Sequence, residues 1–316
     1  METDHNVYVL GAGFSADAGL PLVSDFLNRL RDSAAWLKSQ KRLKELDSVK
    51  KVLQFRLDAA AAAYRAQVDV ENIEELFSLA AASESETMTD DVISAIAATL
   101  DYCHATKRHP RDVVLCVEPP REPLPHWTKS HARRAAHNVP RYDFYMGLIN
   151  GRLCEQAESR SNTIITFNYD LVVEESLRLI DVPFSYTLPS EVAIDDTARS
   201  TGITGETDAL RLLKLHGSVN WGYPDTRDEG LTIFGDYASA RRGAKYLQIV
   251  PPTWKKNFGA ELSKVWEMAV AALRDATRIV MIGFSIPEGD AHFKYLLAAG
   301  LRQNISLSSV TRRSGL

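Results

Sequence analysis

The chain has little cysteine: Cys103, Cys116 and Cys154 are scattered through 316 residues and form no CxxC pair. That excludes a disulfide framework and a four-cysteine zinc site, and no metal is expected. Long apolar runs are missing, so no membrane span is expected. The opening, METDHNVYVLGAG, has neither the basic start nor the apolar stretch of a signal peptide, which makes cytoplasmic residence the expectation. Nor is there an excess of positive charge. Lys and Arg number 37 against 41 Asp and Glu, a formal net charge of -4, which argues against nucleic-acid binding through bulk charge. Internal repeats and low-complexity linkers are absent as well. What is present, 45% hydrophobic and 25% charged residues, is the composition of an ordinary globular protein long enough to bury a sizeable core.

The pattern along the chain predicts an α/β fold. Residues 6–10 form a short apolar run ending in glycine, which suits a strand buried on both faces. From about Val23 to Leu100 the pattern is helical: Leu43, Leu46, Val49, Leu53 and Leu57 recur at helix spacing, alanines fill 59–63, and no strand is evident. A helix is also expected over Asp69–Phe77, its acidic face read most simply as solvated. Residues 107–140 gather Pro, His and Arg, which predicts loops or short helices forming a lid or partner surface. Strand and helix then alternate: 163–167 with 172–180, 210–215, 246–250 with 261–273, and 278–282 with 290–301. Parallel strands joined by helices need both sheet faces covered. The expected architecture is therefore a doubly wound, mostly parallel sheet in one domain over 1–316, with a large helical insertion at about 30–160 after the first strand-helix unit.

Four strand ends carry residues suited to chemistry. Gly11-Ala12-Gly13-Phe14-Ser15, with Gly19 following, lies between the first strand and a helix. Glycines there let a backbone approach a diphosphate, and a helix start offers free N–H groups, although a tight turn would use the same residues. Asn168 and Asp170, in Thr166-Phe167-Asn168-Tyr169-Asp170, would either face the same crevice or cap a helix. His216, in Lys214-Leu215-His216-Gly217-Ser218, could accept a proton near pH 7 or be structural. Gly283 and Ser285, with Asp290, mark a further glycine turn that approaches a ligand or merely turns the chain. Agreement among four ends at one sheet edge points to a single ligand site. A dehydrogenase of the common kind would place a second strand after the glycine loop, ending about 20 residues on in an acid for the ribose; helices occupy that stretch, which disfavours hydride transfer.

Taken in order, GAGFSADAGLP at 11–21, TFNYD at 166–170, LHGS at 215–218 and GFSIPEGD at 283–290 resemble the motifs of the sirtuin, or silent-information-regulator, family, in its bacterial defence-associated branch. The resemblance spans most of the chain. It implies a Rossmann-like fold that takes NAD+ as substrate, with Asn168 and His216 serving cleavage of the nicotinamide–ribose bond. It further implies that Gly11, Ala12, Gly13 and Ser15 line the phosphates and ribose, with Phe14 and Gly19 in the same cofactor site. Asp170 would fix the nicotinamide side, and Gly283, Ser285 and Asp290 the adenosine side. Protein deacylases of this family usually carry a four-cysteine zinc module, which three scattered cysteines cannot supply. The helical segment resembles instead members that consume NAD+ without a protein substrate. The implied activity is an NAD+ glycohydrolase producing nicotinamide and ADP-ribose, acting in anti-phage defence by NAD+ depletion. Gating by homo-oligomerisation, or by a partner such as an ATPase or an Argonaute-like protein, is expected. A protein deacylase and a non-catalytic nucleotide-sensing subunit of a defence complex are the alternatives. The end, Ser306–Leu316, departs from the family: it is polar and basic where a final strand and an adenosine-binding turn would be expected.

Overall fold

The computed structural model of the protein describes residues 4–83, 86–106, 141–150, 161–200, 203, 209–228, 230–253, 260–284, 291–301 and 306–310. The chain begins with β1 (His5–Leu10), a one-turn helix α1 (Ala12–Ser15) and a 3-10 turn (Ala16–Ala18). The helices α2 (Val23–Ser39), α3 (Leu43–Arg65), α4 (Ile73–Ala82), α5 (Glu86–Thr106) and α6 (Arg141–Ile149) follow. Next come β2 (Ser161–Thr166), α7 (Val172–Leu179), β3 (Phe184–Ser185), β4 (Ala193–Ile194), α8 (Asp196–Arg199), β5 (Leu210–Lys214) and β6 (Gly217–Tyr223). The chain continues with β7 (Thr232–Ile233), α9 (Tyr237–Gly243), β8 (Tyr246–Ile249), α10 (Ala260–Asp275), β9 (Arg278–Ile282), α11 (Ala291–Gly300) and β10 (Ser306–Val310).

Six strands form one sheet in the order β10-β9-β1-β2-β5-β3, each neighbouring pair parallel. Val7, Val9, Ile164, Ile165, Leu212 and Leu213 are fully buried, consecutive pairs among them pointing to opposite faces, so the central strands are covered on both sides. Helix α6 packs on α7 and α10 on α11, and α10 also reaches β5 and β1. This is the doubly wound, Rossmann-like arrangement. From β1 the chain fills the sheet first toward β2 and β5 and later toward β9 and β10, which sets the topological switch between β1 and β9. The register pairs Leu10 with both Thr166 and Ile282, and Thr166 with Lys214. The ends of β1, β2, β5 and β9 therefore stand level along one edge.

Two expectations are corrected. Residues 246–249 do not join the parallel sheet: β8 runs antiparallel to β6 in a second sheet of order β4-β7-β6-β8. The cause is local, since β6 leaves β5 after a two-residue turn and Gly217 adopts a left-handed φ of 78° that redirects the chain. The polar end does supply a strand. Ser306–Val310 pairs with Arg278–Ile282 as β10, because backbone pairing at a sheet edge does not require apolar side chains.

The helical insertion forms a core of its own around Leu30, Leu37, Val49, Leu76 and Ile96. Its buried stripes are Leu27, Leu30 and Leu37 on α2 and Leu46, Val49 and Val52 on α3. Of the residues recurring at helix spacing, Leu46 and Val49 are buried and Leu53 packs against the core, whereas Leu43 and Leu57 lie exposed. Asn72 caps α4 by accepting the Glu74 N–H (2.9 Å). Val219 and Ile249 of the second sheet belong to the same core, and Tyr169 and Leu171 pack against it. The lid expected over 107–140 lies outside the described residues. Among those described, no helix is long and apolar enough to cross a membrane.

Candidate functional site

At the end of β1 the chain turns into α1 at Gly11. A Cβ on Gly11 would stand 2.6 Å from the Gly283 carbonyl oxygen, and one on Gly13 would stand 2.8 Å from the same atom. Gly283 has a φ of 60°, and a Cβ there would lie 2.0 Å from the Phe14 nitrogen. The N–H groups of Gly11 and Gly13 donate to the carbonyls of Ile282 (3.1 Å) and Gly283 (2.8 Å). The glycines are thus demanded first by the protein itself, to seat the β1 turn against the β9 turn at the switch point, and two amides suited to a diphosphate are already paired. Helix α1 is only four residues long, so few peptide dipoles add up there. Phe14 and Gly19 are not brought to a ligand space. Phe14 is buried, edge-on to Tyr142 (centroids 5.2 Å apart), and its carbonyl accepts the Tyr142 hydroxyl (2.7 Å). Gly19 closes the 3-10 turn in the left-handed region, donating to the Ala16 carbonyl (2.9 Å).

Asn168 lies just beyond β2. Its side-chain amide donates to the Gly11 carbonyl (2.9 Å) and to Ser15 Oγ (3.1 Å), and its backbone N–H donates to Thr166 Oγ1 (3.1 Å). Asn168 therefore does not cap a helix; it ties the β2 end to the glycine loop, and Oδ1 accepts no hydrogen bond from the described residues. Asp170 does serve the helix start, its Oδ1 accepting the Val172 N–H at the head of α7 (3.0 Å). His216 is buried in the turn between β5 and β6. Its ring meets Phe167 edge-on (5.1 Å), lies nearly parallel to Tyr169 (6.1 Å, 27°) and faces Trp266 (6.5 Å). These neighbours are themselves fixed: the Trp266 indole donates to the Leu215 carbonyl (2.9 Å) and the Tyr169 hydroxyl to the Val250 carbonyl (2.8 Å). The imidazole is held in one orientation by packing against three rings.

A cavity of about 890 Å³ opens along this edge. Gly11, Ala12, Gly13 and Ser15 line it from β1, Asn168 and Asp170 from β2, His216 from β5, and Gly283 from β9. Ser285 and Asp290 lie outside the described residues. The insertion supplies the opposite wall through Phe26, Phe77, Ile96 and Leu100. The acidic run read as a solvated face also borders the cavity, with Asp69, Glu71 and Glu74 at its wall. Glu71 is paired with Arg31 (3.2 Å) and Arg56. Among the described residues no lysine or arginine lines the cavity. No group of three His, Cys, Asp or Glu among them is placed to hold a metal.

Sequence reasoning missed Tyr169, Trp266 and the insertion's wall, whose residues look like ordinary core. It also passed over Lys214, although a lysine inside Leu212-Leu213-Lys214-Leu215 breaks an apolar strand and was a legible signal.

No family model and no curated protein matches the chain. Solved structures of Sir2 enzymes do. One, from work on the structural basis for the mechanism and regulation of Sir2 enzymes, is similar at 11% identity and a TM-score of 0.38, covering 99% of this chain and 83% of its own. A crystal structure of Sir2 with the inhibitor EX-527, 2'-O-acetyl-ADP-ribose and a deacetylated p53 peptide is similar at 12% identity and a TM-score of 0.33, covering 98% and 83%. A complex of Sir2 with a p53 peptide and NAD+ gives 12% identity and a TM-score of 0.33, covering 99% and 84%. Likenesses this distant decide nothing about chemistry, which rests on the site.

Proposed function

We propose that the protein is an NAD+ glycohydrolase that cleaves the nicotinamide–ribose bond, with Asn168 and His216 at the reaction centre. The observation that carries this reading is the meeting of Asn168 with Gly11 and Ser15 in a cavity that His216 also lines. The motif resemblance supplies the substrate, and the geometry supports a division of labour. Because both amide hydrogens of Asn168 are spent on the glycine loop, its Oδ1 is the atom left to accept a ribose hydroxyl and set the sugar's orientation. As the C–N bond to nicotinamide breaks, its electron pair moves to the ring nitrogen and positive charge develops on the ribose. Water attacks the same carbon and His216 takes its proton, giving nicotinamide and ADP-ribose. In this reading Asp170 borders the nicotinamide end, Ser15 with the Gly11–Gly13 backbone borders the phosphates, and Gly283 borders the adenosine side.

Nicotinamide release from NAD+ by the purified protein, followed by chromatography, tests the reading. Asn168→Ala and His216→Ala should each lower turnover about 10²- to 10⁴-fold while NAD+ binding stays within a few-fold. Release at the parent rate by either variant refutes the assignment. Release only in the presence of an acylated peptide makes the protein a deacylase, and binding without consumption makes it a sensor. The motif resemblance also supports a role in anti-phage defence through depletion of cytoplasmic NAD+, held in check by self-association or by an ATPase or Argonaute-like partner. Light scattering, and turnover with and without the candidate partner, test that part.

A further inference from the structure

A buried charge underlies the loop that carries Asn168. Lys214, the last residue of β5, has a side chain only 1% exposed; its Nζ donates to the Asp170 carbonyl and to Glu174 Oε1 (2.7 Å), whose side chain is 5% exposed. The Tyr186 hydroxyl donates to the same Oε1 (3.0 Å). Burial, with the adjacent carboxylate, holds that phenol well above its ordinary range, so it remains a donor. Asn220 of β6 closes the network, donating to Tyr186 Oη (3.3 Å) and to the Phe234 carbonyl (2.8 Å).

An ion pair taken out of water is a poor way to hold a fold, since the desolvation of two charges offsets their attraction and apolar residues of similar volume serve as well or better. Leu212, Leu213 and Leu215, all fully buried, show that this stretch otherwise follows that rule. An apolar residue cannot, however, bind a carbonyl. The carbonyl in question lies two residues past Asn168, and Lys214 lies two residues before His216. One side chain thus joins the two strand ends that carry the proposed reaction centre.

We propose that Lys214, oriented by Glu174, is a positioning residue that fixes the Asn168–Asp170 loop relative to His216 through the Asp170 carbonyl, rather than a stabiliser of the fold. Its kinetic consequence rests on the proposed glycohydrolase activity; its consequence for loop order does not. The test is the double variant Lys214→Met/Glu174→Leu, which removes both charges at nearly constant volume. Lys214→Met alone is unsuitable because it leaves Glu174 buried without its counter-charge. Because Glu174→Leu also takes the acceptor from the buried Tyr186 hydroxyl, the Tm of the double variant should fall by about 10 °C at most. Hydrogen exchange at the Asn168 and Val219 amides, which bond to Thr166 Oγ1 and the Tyr169 carbonyl, should quicken about tenfold while Ile165 and Leu213 stay unchanged. For NAD+, kcat should fall about a hundredfold with KM within about threefold. Loop exchange at the parent rate in a folded double variant overturns the proposal, and so does a larger fall in Tm with faster exchange across the whole sheet. If the parent itself releases no nicotinamide, the glycohydrolase reading fails and the exchange measurement still decides the role of Lys214.

Discussion

Asn168→Asp preserves the shape of the side chain and replaces its NH2 by oxygen, which probes the loop more sharply than truncation does. The amide donates to two acceptors, the Gly11 carbonyl at 2.9 Å and Ser15 Oγ at 3.1 Å. Asn168→Ala loses two neutral hydrogen bonds worth about 1 kcal/mol each, or about 2 kcal/mol in all. In Asn168→Asp the Ser15 hydroxyl can rotate to donate, but the Gly11 carbonyl has no hydrogen to offer and meets another oxygen. Partial burial adds the cost of desolvating a charge, so the aspartate should cost about 3 kcal/mol or more at neutral pH. At about 2–4 °C per kcal/mol, Tm should drop about 4–8 °C for alanine and further for aspartate. The new carboxyl is better tolerated protonated, so its pKa is raised in the folded protein. Its excess penalty over alanine is therefore absent below the unfolded value of about 3.9 and complete above the raised one. Thermal unfolding of the parent and both variants at pH 7 and pH 4, followed by circular dichroism, measures this. An aspartate variant as stable as the alanine variant at pH 7, or a gap that does not narrow at pH 4, refutes the assigned hydrogen-bond directions.

Three further outcomes follow from the same structure. Gly13→Ala should destabilise by about 1–3 kcal/mol, because its Cβ would lie 2.8 Å from the Gly283 carbonyl, and Gly283→Ala should cost more, being strained in φ as well; a parent Tm for Gly283→Ala in a thermal melt would contradict the seating of the two turns. Burial pushes the Cys103 thiol up from 9.0 to about 11, so the peptide that contains it should resist iodoacetamide at pH 8 in the native protein and react readily in denaturant, as read by mass spectrometry. The thiol's contribution to stability is fully present below pH 9.0 and fades as pH rises through about 11. Burial, with Arg211 nearby, lowers the His5 pKa below 6.5; its neutral form thus supports folding above pH 6.5, and that support is lost as pH falls through the lowered value. His5→Gln should flatten the acid limb of a stability-versus-pH curve, and an unchanged limb would clear His5 of that role.

The four strand ends were legible because their residues are short, polar and placed after apolar runs, and the parallel register then makes local sequence order into a shared edge. The reason for the glycines was not legible. Gly11 and Gly13 read as room for a diphosphate, whereas their nearest neighbour is Gly283, some 270 residues away in sequence, and no local pattern reveals that packing. Phe14 and Gly19 were drawn into the site by adjacency to the motif, although one faces the core and the other closes a turn. The second sheet was missed because β6, Gly217-Ser218-Val219-Asn220-Trp221-Gly222-Tyr223, is rich in residues that usually break strands; it is buried along its whole length, which removes the alternation that would reveal it. The acidic turn before α4 shows the converse error. Its charges suit water, and they do meet it, yet tertiary placement also sets them on the cavity wall.

The segment after β2 is shared between two cores. Phe167 belongs to the core of the parallel sheet, Tyr169 and Leu171 pack against that of the helical insertion, and Asn168 and Asp170, between them, line the cavity. The candidate reaction centre consequently has no durability of its own: it lasts as long as the weaker of the two cores. A change deep in the insertion, at a residue as far from the chemistry as Leu37, can disarm the site without touching it, and heat would silence the protein at whichever core gives way first.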